Sequence, residues 1–419
     1  MTIECSRSVH SIVLDKKLLH GKQVREVITV RVEEVKEHLI SEIIPFWESL
    51  KDDSYGGFYG GMDYNLKLEK MAVKGGILNS RILWFFANAY TTTSDKSYLS
   101  YAAHAYEFLK KAFLDKEYGG IYWSVTYDGK PEDDTKHTYN QAFAIYALAS
   151  YYGATEDEEA LKIAYGLVDK VETICKDEIG YLEAFDRSFN PLSNEKLSEN
   201  GLVASRTMNT LLHLFEAYSE LYRVDKNEKI AGRIKWMLDI VASKVYNPEK
   251  RRLEVFFDFD MNSLTDLNSY GHDIEAAWLI DRGCEILGDK EYSKKMSIIT
   301  KDLTSHILSV AFDGNSLNNE SFKQEVDDKK VWWVQAEAIL GFLNGYQKDD
   351  SNEDYLGAAG RIWDFTKNNI VDQRPGSEWL SEIYADGSPN KYKEIVGPWK
   401  CPYHNGRMCF EVIKRKVEF

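Results

Sequence analysis

Apolar residues recur at helical spacing in paired stretches along most of the chain. In "KGGILNSRILWFFANAY", "KHTYNQAFAIYALASYY", "TMNTLLHLFEAYSELY", "GHDIEAAWLIDRGCEIL" and "WWVQAEAILGFLNGY" they cover most faces and alternate with small residues. Each is followed by a stretch with one apolar stripe and charged positions elsewhere, such as "KSYLSYAAHAYEFLKKAF" and "DEEALKIAYGLVDKVETIC". A helix that is apolar all round is buried, whereas a striped one faces water. The pattern predicts five buried helices, each followed by an outer one. A sixth buried helix is predicted in "WKCPYHNGRMCFEVIKR" near the C-terminus, with its outer partner between Val27 and Leu50.

Between the pairs lie turns marked by Gly or Asp with alternating aromatic flanks: "SYGGFYGGMDY", "EYGGIYWSV", "EIGYLEAF", "PEKRRLEVFFDF", "FDGNSLNNE" and "SEWLSEIYADGSP". They sit near residues 56, 119, 180, 253, 314 and 377, at intervals of 63, 61, 73, 61 and 63 residues. Turn residues with β-rich flanks predict short hairpins or extended loops. A repeat of this length fixes the architecture. The expected class is all-α: an (α/α)6 barrel of six inner and six outer helices, with hairpins or loops at one end. Residues 1–25 read as an N-terminal extension and 26–419 as a single barrel domain.

Composition narrows the partners. The chain has 419 residues, 44% hydrophobic and 28% charged, with a net charge of −15. No basic stripe offers a nucleic-acid surface, and no apolar run reaches the roughly 18 residues that a membrane span needs. Five scattered cysteines without a CxxC argue against a disulfide framework or zinc cluster. The N-terminus mixes acid and base and makes a poor signal peptide. The expectation is a reduced, cytoplasmic protein, monomeric, with a homodimer as the alternative.

The chemistry lies in the polar exceptions near the start of each inner helix. They are Arg81, Tyr139, Asn209 with His213, His272 with Glu275, Trp333 with Glu337, and Trp399 with His404. Residues three or four apart share a helix face. Parallel inner helices would bring all six starts to one funnel, where helix dipoles favour developing negative charge. A lone histidine on an apolar helix is ordinarily a satisfied core group. Six repeats placing a non-core residue at one helical height is a coincidence that core packing does not predict. His272, Glu275, His213 and His404 could form a histidine–carboxylate metal site, but the chain has no HExxH spacing and no metal is expected. No phosphate loop, dinucleotide fingerprint or nucleophile elbow is present, so no cofactor is expected. Two imidazoles with an arginine and an aromatic floor suit proton removal and return beside a carbonyl. The indoles suit sugar rings. His10, His20, His38, His104, His137 and His306 receive no role.

The segments "PFWESLKDDSYGGFYG", "GGILNSRILWFFANAY", "SYGHDIEAAWLIDR", "VWWVQAEAILGFLNGY" and "GPWKCPYHNGRMC" resemble the N-acylglucosamine 2-epimerase superfamily, over about residues 30–415. They are most similar to its members that act on β-1,4-linked disaccharides. The resemblance implies epimerisation at C2 of the reducing-end sugar, turning cellobiose into glucosylmannose and lactose into epilactose. It implies His272 and His404 as the acid/base pair, Arg81 as holder of a cis-enediolate, and His213 with Asn209 as supports. Tyr139, Glu275, Glu337, Trp333 and Trp399 would position the rings. Relatives carry a histidine where this chain has Leu211, which leaves that position without an assigned role here. Rival readings are a mannose 2-epimerase or aldose–ketose isomerase of the same fold, and a non-catalytic sugar- or protein-binding member.

Overall fold

The computed structural model describes residues 23–197, 202–349 and 352–419. Most of the stretch read as an extension, residues 1–22, lies outside the described residues, and so do Cys5, His10 and His20. Helix α1 already begins at Gln23. It continues through a π-turn into α2 (Ile44–Ser49), and the two form the first outer helix. Inner and outer helices then alternate. They are α3 (Gly76–Thr93), α4 (Ser97–Phe108), α5 (Thr138–Thr155), α6 (Glu158–Lys170), α7 (Met208–Asp225) and α8 (Glu228–Ile240). They continue as α9 (Tyr270–Leu287), α10 (Lys290–Val310), α11 (Trp332–Lys348), α12 (Glu353–Phe365) and α13 (His404–Arg415). Each inner helix packs on the next, α3 on α5 and so on to α13, and α13 packs back on α3. The ring therefore closes as an (α/α)6 barrel.

Burial follows the sequence pattern. In α5 every side chain from Thr138 to Tyr151 is buried, whereas α6 buries one stripe: Ala160, Leu161, Ala164, Leu167 and Val168. A second device repeats at the starts of the inner helices. The two or three residues before each helix pair antiparallel with the hairpin that follows the next outer helix. Lys74–Gly75 pairs with Ser124–Val125, Lys136–His137 with Ala184–Phe185, and Arg206–Thr207 with Phe256–Phe257. Leu267–Ser269 and Lys330–Val331 do the same, and Met62 pairs with Val396 to close the sixth step. All six inner helices thus start at the hairpin end.

Ion pairs fasten these joints, fully buried at Asp52–Lys74 and Asp115–Lys136. Asp52, Asp115, Asp177 and Asp313 each accept two backbone N–H bonds within their own turn. Each also binds the cation two residues before an inner helix, respectively Lys74, Lys136, Arg206 and Lys330. The four cysteines among the described residues, Cys175, Cys284, Cys401 and Cys409, are buried and free. Among these residues no helix is long and apolar enough to cross a membrane.

Candidate active site

The single helical height expected from sequence resolves into two tiers about one turn apart. Tyr139, Asn209, His272 and Trp333 are the second or third residues of their helices. Arg81, His213, Glu275 and Glu337 are the sixth. Helix α13 starts with His404 itself, and Trp399 stands five residues earlier, outside the helix. Exposure grades with height. Trp399 is 41% exposed, and His272 and Trp333 are partly open. Glu275 and Glu337 are fully buried.

The indole of Trp333 packs against both predicted bases, 4.8 Å from the His272 ring and 5.3 Å from His404. The two histidines are held differently. Nδ1 of His404 lies 2.7 Å from a carboxylate oxygen of Glu337. Nδ1 of His272 lies 2.7 Å from the Ser269 hydroxyl. Burial, reinforced by the neighbouring His213, pushes the His272 pKa down to about 3. Burial, then Arg407, holds His404 well below the ordinary imidazole range. Both rings are neutral near pH 7 and can accept a proton. His213 sits against Tyr139 and Phe143 at 5.3 and 4.8 Å, with its Nδ1 3.0 Å from Glu216.

Below the histidines lies an ion cluster that sequence reading missed. The Arg407 guanidinium donates to Glu216 at 2.6 Å, to Glu337 at 2.7 Å and to Glu275. Tyr403 donates to Glu216 and accepts from Arg407. Burial alone would raise the Glu216 pKa, but Arg407 and then His213 hold it far below the usual carboxylate range. Glu275 is pushed up to about 7 by burial, then by Glu337, with Arg407 opposing. Its second oxygen, Oε2, is buried and has no partner in the protein. A signal for this cluster was present: His213, His272 and His404 are each followed three residues later by Glu216, Glu275 and Arg407.

Glu275, Glu337 and His404 place ligand atoms within 4.8 Å of one another, a donor set that could hold a metal. Nη2 of Arg407 donates to both of those carboxylates. The guanidinium thus supplies the cation that this pocket of charge requires. Arg81 stacks 4.0 Å over Phe143 and 4.5 Å over Tyr403 and donates to the Tyr139 hydroxyl at 3.0 Å. Its Nε is buried without a partner, as is Oδ1 of Asn209. At the rim, Trp399 meets Tyr139 at 5.9 Å and Trp123 at 6.1 Å, which adds a second rim indole to those expected. Leu211 faces away, among Tyr181, Arg206, Ile240, Val245 and Phe257 in the wall. A groove of about 620 Å³ on the outer wall, between α10 and α12, contains none of these residues.

Comparison with known proteins converges on one group. The sequence profile of the N-acylglucosamine 2-epimerase family matches residues 57–405. The cellobiose 2-epimerase of Ruminococcus albus is 52% identical over 387 residues, covering 92% of this chain and 99% of that protein. The crystal structure of a sugar epimerase from a ruminal bacterium superposes with a TM-score of 0.92 at 51% identity, covering 93% of this chain and 100% of the other. The cellobiose 2-epimerase of Bacillus thermoamylovorans gives 0.88 at 45% identity, covering 92% and 99%.

Proposed function

Because the chain belongs to the N-acylglucosamine 2-epimerase family, as an isomerase of the cellobiose 2-epimerase type that acts on disaccharides, we propose the following reaction for it. It interconverts glucose and mannose at the reducing end of β-1,4-linked disaccharides such as cellobiose and lactose. The sugar ring opens, one histidine removes the C2 proton, and a second returns a proton to the other face. His272 and His404 are the pair, and His213 with Asn209 supports the charge that develops. The observation that carries this reading is the Trp333 indole with a neutral imidazole packed against it on either count, at 4.8 and 5.3 Å.

Arg81 suits the cis-enediolate between the two proton transfers. Its guanidinium is buried between two aromatic faces, and one N–H has no partner in the resting protein. Preorganised donors in a dry site act strongly on developing charge. Trp333 would carry the reducing-end ring and Trp399 the outer one. The reaction as drawn uses no metal and no cofactor. The protein that performs it is cytoplasmic and monomeric in this reading, with a small disaccharide as its partner.

The test is incubation with cellobiose in heavy water, followed by NMR. Deuterium at C2 of the reducing sugar should appear together with the mannose epimer. A ketose as the main product would replace the epimerase reading with an aldose–ketose isomerase. Failure of the wild-type chain to turn over any of the disaccharides would leave a binding protein.

A further inference from the structure

Beneath the histidines the Arg407 side chain, 2% exposed, is ringed by three carboxylates. Two of these carboxylates each hold a histidine. Glu337 accepts from Arg407 and from the Trp278 indole N–H at 2.9 Å, and neither of those groups can accept in return. Glu216 accepts from Arg407 and from the Tyr403 hydroxyl. Paired with the Arg407 guanidinium, each carboxylate is an acceptor only, so the imidazole Nδ1 facing it donates. His213 and His404 therefore carry their proton on Nδ1 and present a bare Nε2. His272 differs, because the Ser269 hydroxyl opposite its Nδ1 can donate or accept.

We propose that Glu216 and Arg407 are positioning residues that lock His213 and His404 in the same tautomer, leaving His272 as the one site histidine whose tautomer is free to change. This rests on the reading in which His213 and His404 meet the substrate. The arrangement follows the logic of a buried carboxylate behind a catalytic histidine, with one guanidinium serving two such carboxylates. When Nε2 takes a proton from carbon, the Nδ1–H stays on its carboxylate and the imidazolium is stabilised. Arg407 lies between the two, so it joins helices α7, α9, α11 and α13 through a single side chain.

The test combines a resting-state spectrum with kinetics. Two-dimensional 15N NMR of histidine-labelled wild-type protein should show Nδ1–H, Nε2-bare signals for His213 and His404. Glu216→Gln keeps the shape but adds an N–H donor opposite His213. It should shift His213 alone toward the other tautomer, with kcat falling at least about tenfold and KM within about twofold; a mis-set tautomer can lower kcat by up to about 10⁴-fold. Arg407→Lys cannot reach three carboxylates at once and should broaden or shift both His213 and His404. If it fails to fold, Glu216→Gln still decides. A Glu216→Gln variant with His213 unchanged and kcat within twofold of wild type would overturn the proposal. The spectrum is read without substrate, so it separates this proposal from the epimerase reading, which stands or falls on C2 deuteration by the wild type.

Discussion

One buried aspartate near the mouth of the barrel holds two cations, and one buried arginine beneath the funnel holds three carboxylates. Asp115 accepts from Lys136 at 3.0 Å, from Arg187 at 3.0 Å and from two backbone N–H groups. Arg407 faces Glu216, Glu275 and Glu337. The Asp–cation pair of the first arrangement recurs without the second cation, with Asp52–Lys74, Asp177–Arg206 and Asp313–Lys330 at equivalent joints. The second occurs once among the described residues, under the three histidines. Recurrence at four of the six joints where a strand meets a hairpin marks a device for folding. A single occurrence, with surplus negative charge next to neutral imidazoles, marks a device for chemistry. Burial alone does not separate the two, since Lys136 and Arg407 are both nearly inaccessible.

The largest expected effect comes from deleting each central cation. Arg407→Met leaves three buried carboxylates, and removing one partner of a buried pair ordinarily costs about 3–5 kcal/mol. Both the denaturation midpoint and the activity of the folded fraction should collapse. Lys136→Met should lower stability less, because Asp115 keeps Arg187 and its turn N–H groups. Its folded fraction should keep wild-type kcat. Paired denaturant titrations and assays below the transition check this. A Lys136→Met protein that folds but is inactive would break the contrast.

The histidines should show the reverse pattern, with activity lost and stability kept. General acid–base groups contribute about 10²–10⁴-fold each, and groups that act as one unit lose activity non-additively. His272→Asn and His404→Asn should each nearly abolish epimerisation, and the double variant should be scarcely worse. Glu337 keeps Arg407 and Trp278 when His404 is gone, so the melting temperature should move little. Near-native epimerisation by either single variant would defeat the two-base mechanism.

How much of this contrast sequence can carry differs between its two halves. The barrel was legible because twelve helices and six turns repeat a pattern, and the polar starts of the inner helices stood out against apolar neighbours. The strand joints were not legible, because they are two or three residues long and pair across more than 40 positions, as Lys74 does with Val125. The π-turns in or after five outer helices, such as Leu109–Phe113, leave no periodic trace. The Arg407 cluster was half visible. The spacing of His213 to Glu216 and of His404 to Arg407 places each pair on one face, but such spacing also describes ordinary surface ion pairs. The bond that changes its meaning, Arg407 to Glu216, spans 191 residues. Glu275 and Glu337, read from sequence as ring-positioning groups, lie fully buried on that same guanidinium.

Acid and base should act on the two clusters with opposite sign. Burial would raise the Asp115 pKa, but hydrogen bonds from Arg187, the Glu117 N–H and Lys136 hold it far below the usual range. A carboxylate lowered in the folded state adds stability above its unfolded pKa, and that stability is lost as pH falls. Glu275 is raised to about 7. Its contribution is present below an unfolded value of about 4.3 and is lost as pH rises through 7. Glu275→Gln should therefore shrink the stability difference between pH 5 and pH 8. Asp115→Asn should leave that difference unchanged and flatten the acid limb instead. Glu183 and Asp273, also raised to about 7 by burial, keep part of the slope in the Glu275 variant. Denaturant midpoints across pH 3–8 read both effects, and parallel profiles for the two variants would remove the distinction.

The smallest effect belongs to the rim, which neither cluster touches. Trp399 lies outside α13, is 41% exposed, and meets only Tyr139 and Trp123 among aromatic rings. No buried charge depends on it, so Trp399→Ala should leave stability within the range of an ordinary surface substitution, about 0.5 kcal/mol. Its indole offers a flat face above Tyr139, whose hydroxyl accepts from Arg81. Trp333 packs on His272 and His404 and Trp399 on neither, so a ring stacked on Trp399 would be the one farther from those two histidines. Removing that face should lower kcat/KM for cellobiose and lactose about tenfold, equivalent to about 1.4 kcal/mol, chiefly through KM. Turnover of free mannose or glucose, which would fill only the inner position against Trp333, should change far less. The ratio of the two losses is the informative quantity. A ratio near one would place Trp399 over the reacting sugar and merge rim and floor into a single site. A ratio near ten would keep the rim for recognition, with the chemistry confined to the histidines and Arg81.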